Sequence, residues 1–154
     1  MDIALQMGRY AGDIVVGEHD LERDEGLRTA VIISLFTDRR AEPDQVPPEL
    51  PADDLRGWWG DVAPLVEGDQ TGSLLWLLYR EKQTDSTRIR AQQYAEEALE
   101  WLVEDQVAER VVVAASYYAT GWILLRIDIY RPNGDVVRYR YGYEWTAQAA
   151  RRLD

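Results

Sequence analysis

The sequence predicts a single α+β domain, in which two main helices cover a three-stranded antiparallel sheet near the C-terminal end. Two stretches, roughly residues 25–36 and 86–105, place apolar residues at the spacing of a helix face. Residues 109–145 alternate between apolar and polar side chains, as strands with one covered face do. A chain of 154 residues can build one hydrophobic core but hardly two, so we treat residues 1–154 as one domain.

Composition narrows the class of protein. An apolar content of 46% is typical of a globular domain, and the absence of cysteine excludes disulfides and thiolate metal sites. Because a net charge of −11 repels phosphate backbones, we expect no nucleic-acid binding. No apolar run approaches the roughly 20 residues of a membrane span, and the first residues do not resemble a signal peptide.

The N-terminal half begins with two weak strand patterns and a strong helix pattern. The strand patterns predict a short hairpin within residues 1–17. Asp24 is a candidate N-cap for a helix from about Glu25 to Phe36. The apolar face of this helix is wide, so we expect it to be mostly enclosed; it comprises Leu27, Ala30, Val31, Ile32, Ile33, Leu35 and Phe36.

Residues 38–72 read as one long loop that contains four prolines between residues 43 and 51. Long loops in compact domains are usually functional or mobile. Trp58 and Trp59 are adjacent and flanked by glycines within this loop. Two interpretations stay open: one ring is buried while the other covers the loop, or the pair forms an interface hot spot.

A second helical segment follows the loop. Ser73 is a candidate cap for a helical turn over residues 73–79, and Thr84 or Asp85 for a long helix from about Ser86 to Asp105. The predicted apolar stripe of this helix comprises Ile89, Ala95, Ala98, Leu99, Leu102 and Val103. Its C-terminal half carries Glu96, Glu97, Glu100, Glu104 and Asp105, which oppose the helix dipole. Either tertiary burial overrides this cost, or the acidic face serves a partner.

Three strands are expected in residues 109–145. Thr120-Gly121 and Pro132-Asn133-Gly134 are the turn signals between them. The second strand places four aliphatic residues on one face, and the third places a ladder of Tyr139, Tyr141 and Tyr143 on the same side as Trp145. The tail, residues 146–154, is expected to form a loose terminal helix.

Residue patterns for catalysis are weak. His19 is the only histidine, so we expect neither a nucleophilic triad nor a metal site, and no phosphate loop, dinucleotide fingerprint or other cofactor motif is present. Paired carboxylates for a glycosidase could occur among 28 acids, but no acid is marked as buried. Arg39-Arg40 forms a small basic spot, for which pairing with the domain's own acids is favoured over a partner contact.

Several blocks together resemble the phage Mu gene-product-46 family of tail baseplate proteins. They are Leu-Arg-Thr-Ala-Val-Ile-Ile-Ser-Leu-Phe-Thr-Asp-Arg-Arg-Ala at residues 27–41, Arg-Gly-Trp-Trp-Gly-Asp at 56–61, Gly-Ser-Leu-Leu-Trp-Leu-Leu at 72–78 and Ala-Leu-Glu-Trp-Leu at 98–102. The family is similar in turn to the lysozyme-like wedge proteins of contractile tails and type VI secretion baseplates. The resemblance implies a small α+β wedge subunit that is not an enzyme. It also implies partners among other wedge proteins, with the tail sheath or hub as a further candidate.

The related wedge proteins carry a Glu-Pro-Arg tripeptide after the long helix. Glu109-Arg110 lies in the corresponding region but lacks the proline. Together with the residue patterns, the resemblance gives these partner-interface candidates: Arg39, Arg40, Trp58, Trp59, Glu97, Glu100, Glu104, Glu109 and Arg110. The expected location is the baseplate of a virion assembled in the cytoplasm of a bacterial host.

Two other functions are kept as alternatives. The first is a muralytic glycosidase that uses paired carboxylates. The second is a small-ligand module that uses the tyrosine ladder as an aromatic platform, which a helix lying across the rings would reject.

Overall fold

The computed structural model describes residues 4–7, 12–15, 23–48, 50–51, 55–56 and 71–153, with side chains from residue 26 onward. The first two segments are strands β1 (Ala4–Met7) and β2 (Gly12–Val15), which pair antiparallel. Helix α1 spans Arg23–Phe36, and helix α2 spans Asp85–Glu104. Within the described residues between them lie short 3-10 helices at Pro43–Gln45 and Leu75–Leu78.

The C-terminal sheet has four antiparallel strands in chain order, rather than the three that the sequence predicts. They are β3 (Arg110–Ala119), β4 (Trp122–Tyr130), β5 (Val136–Glu144) and β6 (Ala149–Arg152). The expected terminal helix is therefore wrong. A turn that contains Gln148, at a φ of 50°, reverses the chain so that the tail pairs with β5. Alanine and arginine have little strand propensity, so this pairing stabilises the strand.

The predicted turn at Pro132-Asn133-Gly134 joins β4 to β5. Gly134 has a φ of 94°, and its amide donates to the carbonyl of Arg131 at 3.0 Å. The side-chain oxygen of Asn133 accepts from the amide of Asp135 at 2.9 Å. A Cβ at Gly134 would meet no heavy atom within 4 Å, so space does not require glycine here. Glycine is required for the positive φ.

Both helices pack on one face of the sheet. The centre of that face is the four aliphatic residues of β4, Ile123, Leu125, Ile127 and Ile129, each with an exposed fraction of 0%. The ring of Phe36 in α1 lies 5.5 Å from that of Tyr141 and 5.9 Å from that of Tyr143. Helix α2 lies against β3, where the side chain of Gln92 accepts from the amide of Ala115 at 3.2 Å. Because successive side chains of a strand point to opposite faces, every second residue of β4 lies on the face that the helices cover.

The helix boundaries and faces differ from prediction in some places. Helix α1 begins at Arg23, so Asp24 is inside the helix and is not its N-cap. Thr84 is the N-cap of α2, and its hydroxyl accepts from the amide of Thr87 at 3.2 Å, as predicted. Three residues assigned to the buried stripes are exposed by 40–44%: Ile33, Ile89 and Val103.

Candidate functional site

The end of α1 and the segment before the second 3-10 helix are joined through their main chains. The amide of Arg39 donates to the carbonyl of Ser73 at 2.9 Å, and the amide of Ser73 donates to the carbonyl of Thr37 at 2.8 Å. These bonds form a parallel bridge between Asp38 and Ser73. The block at residues 27–41 and the block at residues 72–78 therefore meet in space.

Side-chain and steric constraints reinforce this bridge. The hydroxyl of Ser73 donates to the carbonyl of Leu35 at 2.5 Å and accepts from the amide of Leu75 at 3.3 Å. Gly72 has a φ of 101°, and a Cβ at that position would overlap the carbonyl oxygen of Thr37. Glycine is needed here both for the backbone conformation and for the close approach of the two chains.

Trp76 connects the bridge between Asp38 and Ser73 to Arg56 in the long loop. Its indole Nε1 donates to the carbonyl of Arg39 at 2.8 Å, and its ring lies under the guanidinium of Arg56 at 4.7 Å. Arg56 also donates to Asp38 at 3.0 Å and to Gln148 at 2.7 Å. Arg56, at the start of the block at residues 56–61, is thus held by residues of the other blocks and by the turn before β6.

The tandem tryptophans, Trp58 and Trp59, lie outside the described residues. Their assignment as partner anchors stays a prediction. The described residue nearest to them in the chain before the pair is Arg56, which is held by the contacts given above.

Pairing of Arg39 and Arg40 with the domain's own acids, the interpretation favoured from sequence, is not seen among the described residues. Within the described residues, neither guanidinium forms an ion pair with a carboxylate. Arg39 is half-buried, whereas Arg40 is exposed and available to a partner.

The predicted acidic face of α2 points outward. Glu97, Glu100 and Glu104 are exposed, as are Glu96 and Asp105. The last turn of the helix contains no basic residue. Among the described contacts of these five acids, the one side-chain partner is Gln92, which donates to Glu96 at 3.2 Å. Tertiary burial therefore does not account for placing acids at the negative end of the helix dipole.

Glu109 and Arg110 lie where the chain enters β3. The amide of Glu109 donates to the carbonyl of Tyr130 at 2.7 Å, and its side chain is exposed. The guanidinium of Arg110 stacks on the ring of Tyr130 at 4.1 Å. The described candidates are therefore distributed over three places: the end of α1, the outward face of α2 and the start of β3.

The tyrosine ladder is not an aromatic platform for a ligand. Tyr139, Tyr141 and Tyr143 have exposed fractions of 3%, 0% and 5%. Helix α1 covers these rings through Phe36, and the guanidinium of Arg28 lies over Tyr139 at 5.0 Å. By the criterion set from sequence, the ladder belongs to the core. Burial raises the pKa of the Tyr143 phenol, and the nearby Asp38 carboxylate raises it further.

Arg56 and the arginines of the uncovered sheet face did not stand out in the sequence. Arg126, Arg138 and Arg140 alternate with apolar residues, which places them on the polar side of their strands, but their alignment across strands depends on register. Among the described residues, no three acidic or histidine side chains are grouped as metal ligands. In the same part of the chain, no helix is long and apolar enough to cross a membrane.

Comparison with known proteins gives consistent matches over most of the chain. A sequence profile of the family described as "Phage protein GP46" matches residues 27–136. The chain is 43% identical over 140 residues to "Baseplate protein gp46" of Escherichia phage Mu, covering 91% of this chain and 94% of that protein. It is 41% identical over 145 residues to "Mu-like prophage FluMu protein gp46" of Haemophilus influenzae, covering 94% and 98%.

Proposed function

The chain belongs to the phage protein GP46 family, and from this premise we propose that it is a structural wedge subunit of the baseplate of a Mu-like contractile tail. Its role is to dock onto other baseplate proteins, and onto the tail sheath or hub. Its location is the virion tail, assembled in the host cytoplasm. The relative from phage Mu bears the name of a baseplate protein and aligns with nearly the whole chain, which supports this role.

The outward face of α2 is the observation that best supports docking. Acids at the negative end of a helix dipole forgo a favourable interaction of roughly 0.3–1 kcal/mol each for a cation at that place. Five exposed carboxylates stand in the C-terminal half of α2, of which Glu104 and Asp105 lie at its end, and no basic residue lies in the last turn. Arginines or lysines of a partner would turn this local cost into an attraction between proteins. The proposed partner surface of α2 is therefore basic.

The remaining candidates are proposed as further contacts outside α2. Arg40 is exposed at the end of the α1 block, and Trp58 and Trp59 follow Arg56 and Gly57 in the chain. Tryptophan and arginine are the residues most enriched in interface hot spots. Arg39, Glu109 and Arg110 complete the set of proposed contacts.

The acidic face can be tested by pull-down from cells that co-express the other baseplate proteins. We expect Glu97→Gln with Glu100→Gln to reduce recovery of those proteins at least tenfold, about 1.4 kcal/mol of binding. The matched control is Asp44→Asn with Asp135→Asn, which removes the same charge from exposed positions elsewhere. Equal recovery with both double variants would contradict docking through α2.

The tandem tryptophans need a separate experiment. In the same pull-down, we expect Trp58→Ala with Trp59→Ala to abolish recovery of at least one baseplate protein while the fold persists by circular dichroism. Assembly retained by this variant would remove the pair from the interface.

A muralytic glycosidase is the competing function. Its general acid needs an environment that raises its pKa, usually burial. The buried polar side chains in the described part of the chain are Thr29, Ser34, Ser73 and Thr87, with no carboxylate among them. Zymography on peptidoglycan decides: clearing that is lost on replacement of a single acid would favour the enzyme over the structural role.

A further inference from the structure

The face of the sheet opposite the helices carries a charge unlike that of the whole protein. We call it the open face. Register places on it five exposed arginines, namely Arg110, Arg126, Arg138, Arg140 and Arg151. Two carboxylates share it, Asp128 and Glu144, so the side chains of this face contribute three net positive charges. The whole chain has a net charge of −11. This face is therefore net positive on a chain that is net negative.

Two of these arginines oppose each other directly. Arg126 and Arg140 are cross-strand partners on β4 and β5. Like charges at directly opposed positions are destabilising. Within the described part of the chain, neither guanidinium forms an ion pair, whereas Arg138 on the next pair lies 3.8 Å from Asp128. The fold thus keeps a repulsive pair at the middle of an exposed sheet.

The open face also presents apolar surface around these charges. Val112, Tyr118 and Val136 are exposed by 42%, 42% and 37%. The guanidinium of Arg151 lies over the ring of Trp122 at 5.2 Å, so this indole also belongs to the open face. Apolar side chains interleaved with arginine are typical of protein interfaces.

The outward face of α2 has the complementary properties. It carries the acids Glu97, Glu100 and Glu104, and its exposed apolar residues are Ile89 and Val103. Its 20 residues span about 30 Å. Strands β4 and β5, of 9 residues each, also span about 30 Å. Charge, apolar content and length therefore match between two different surfaces of the same chain.

We propose that the open face of the sheet binds the outward face of α2 of a second copy of this chain, with Arg126 and Arg140 facing its acids. The proposal rests on the docking role of α2 given above and names the basic surface that α2 meets. The two surfaces differ, so the contact is head to tail and leads to a ring or an open chain of copies. At physiological ionic strength the opposed charges at the contact lie within the Debye length of about 8 Å, whereas charges that are farther apart on the two copies are largely screened.

The isolated contact should be weak. One helix covers a footprint of about 30 Å by about 10 Å, well below the roughly 800 Å² per partner of stable complexes. We expect sedimentation equilibrium to show concentration-dependent association of the wild-type protein at 50 mM salt. At 500 mM salt, the association should be at least tenfold weaker.

Complementary variants test the pairing. Arg126→Glu with Arg140→Glu disables the open face, and Glu97→Arg with Glu100→Arg disables α2. Each double variant should be monomeric alone, because its two surfaces then carry charge of the same sign. Their mixture should associate, because the native contact and the charge-reversed contact both form between unlike copies. The quadruple variant should associate with itself again, which also shows that the reversed charges permit folding.

A wild-type chain that stays monomeric at all concentrations and at both salt levels would overturn the proposal, as would a mixture of the two double variants that does not associate. These results leave the docking role of α2 intact if its glutamine variants still lose baseplate proteins in the pull-down. Loss of another baseplate protein by the open-face variant, with a monomeric wild type, would assign the open face to that protein instead and would equally overturn self-association.

Discussion

The indole Nε1 of Trp76 donates a hydrogen bond to the main-chain carbonyl oxygen of Arg39 at 2.8 Å, across 37 positions of sequence. Trp76 is 2% exposed. A buried indole N–H needs a partner, and a carbonyl beyond a helix end needs a donor, so each satisfies the other. This bond fixes the position of Arg39 after the end of α1. The next residue, Arg40, is a proposed partner contact.

Trp76→Phe tests this relationship. The phenyl ring fills most of the site but leaves the carbonyl of Arg39 without its donor. We expect a loss of roughly 1–3 kcal/mol in the free energy of unfolding, measured by urea denaturation. The control is Tyr79→Phe, which alters an exposed aromatic residue of the same segment. Equal stability of the two variants would show that the bond contributes nothing.

Gly72 and Gly134 form a matched pair for separating steric contact from backbone strain. Both have a positive φ, of 101° and 94°, but only at Gly72 would a Cβ overlap another atom, the carbonyl oxygen of Thr37. We expect Gly134→Ala to cost roughly 1–3 kcal/mol from strain. Gly72→Ala should cost about 1–3 kcal/mol more from overlap. Thermal unfolding measures both, and similar costs would show that the bridge shifts freely.

Leu102 and Val103 are neighbours on α2 with opposite environments, exposed by 0% and 44%. Leu102→Ala should reduce the free energy of unfolding by about 2–5 kcal/mol, because it leaves a cavity against the sheet. Val103→Ala should change it by less than about 0.5 kcal/mol. Denaturation at low protein concentration checks both values. A large cost at Val103 would restore the apolar stripe expected from sequence.

The stability of the fold should fall in alkaline solution through Tyr143. Burial raises the pKa of this phenol above its ordinary value of 10.0. Below about pH 10 the phenol is protonated in both states, so its contribution is constant. At higher pH the unfolded chain ionises first, and stability falls by about 1.4 kcal/mol per pH unit.

Tyr143→Phe should make this fall shallower, with urea midpoints measured from pH 8 to pH 11.5. Part of the fall should persist, because burial also raises the pKa of Tyr117. Tyr79→Phe, which changes an exposed phenol, is the control. Identical pH profiles for the Tyr143 variant and the wild type would refute the role of this group.

Local signals in the sequence specify most of the regular elements. The hydroxyl of Thr84 does cap α2, and the turn at Gly134 does join β4 to β5. The tail failed as a prediction because β6 has four residues, Ala-Ala-Arg-Arg, with little strand preference. Ile89 and Val103 failed because helical spacing shows which apolar residues share a face, but not how wide a face the sheet covers.

The candidate site also has features that the sequence shows and features that only the fold shows. Composition and spacing alone identify the acids of α2 as locally unfavourable, because dipole and charge are properties of one helix. The opposition of Arg126 and Arg140 and the meeting of Asp38, Arg56 and Trp76 are decided by tertiary structure. The physical reason is that register and long-range packing join residues that have no relation along the chain. The sequence by itself therefore determines most of the elements and the side on which each is covered, whereas only the fold determines strand β6, the width of the covered faces and which charges on the uncovered faces stand together.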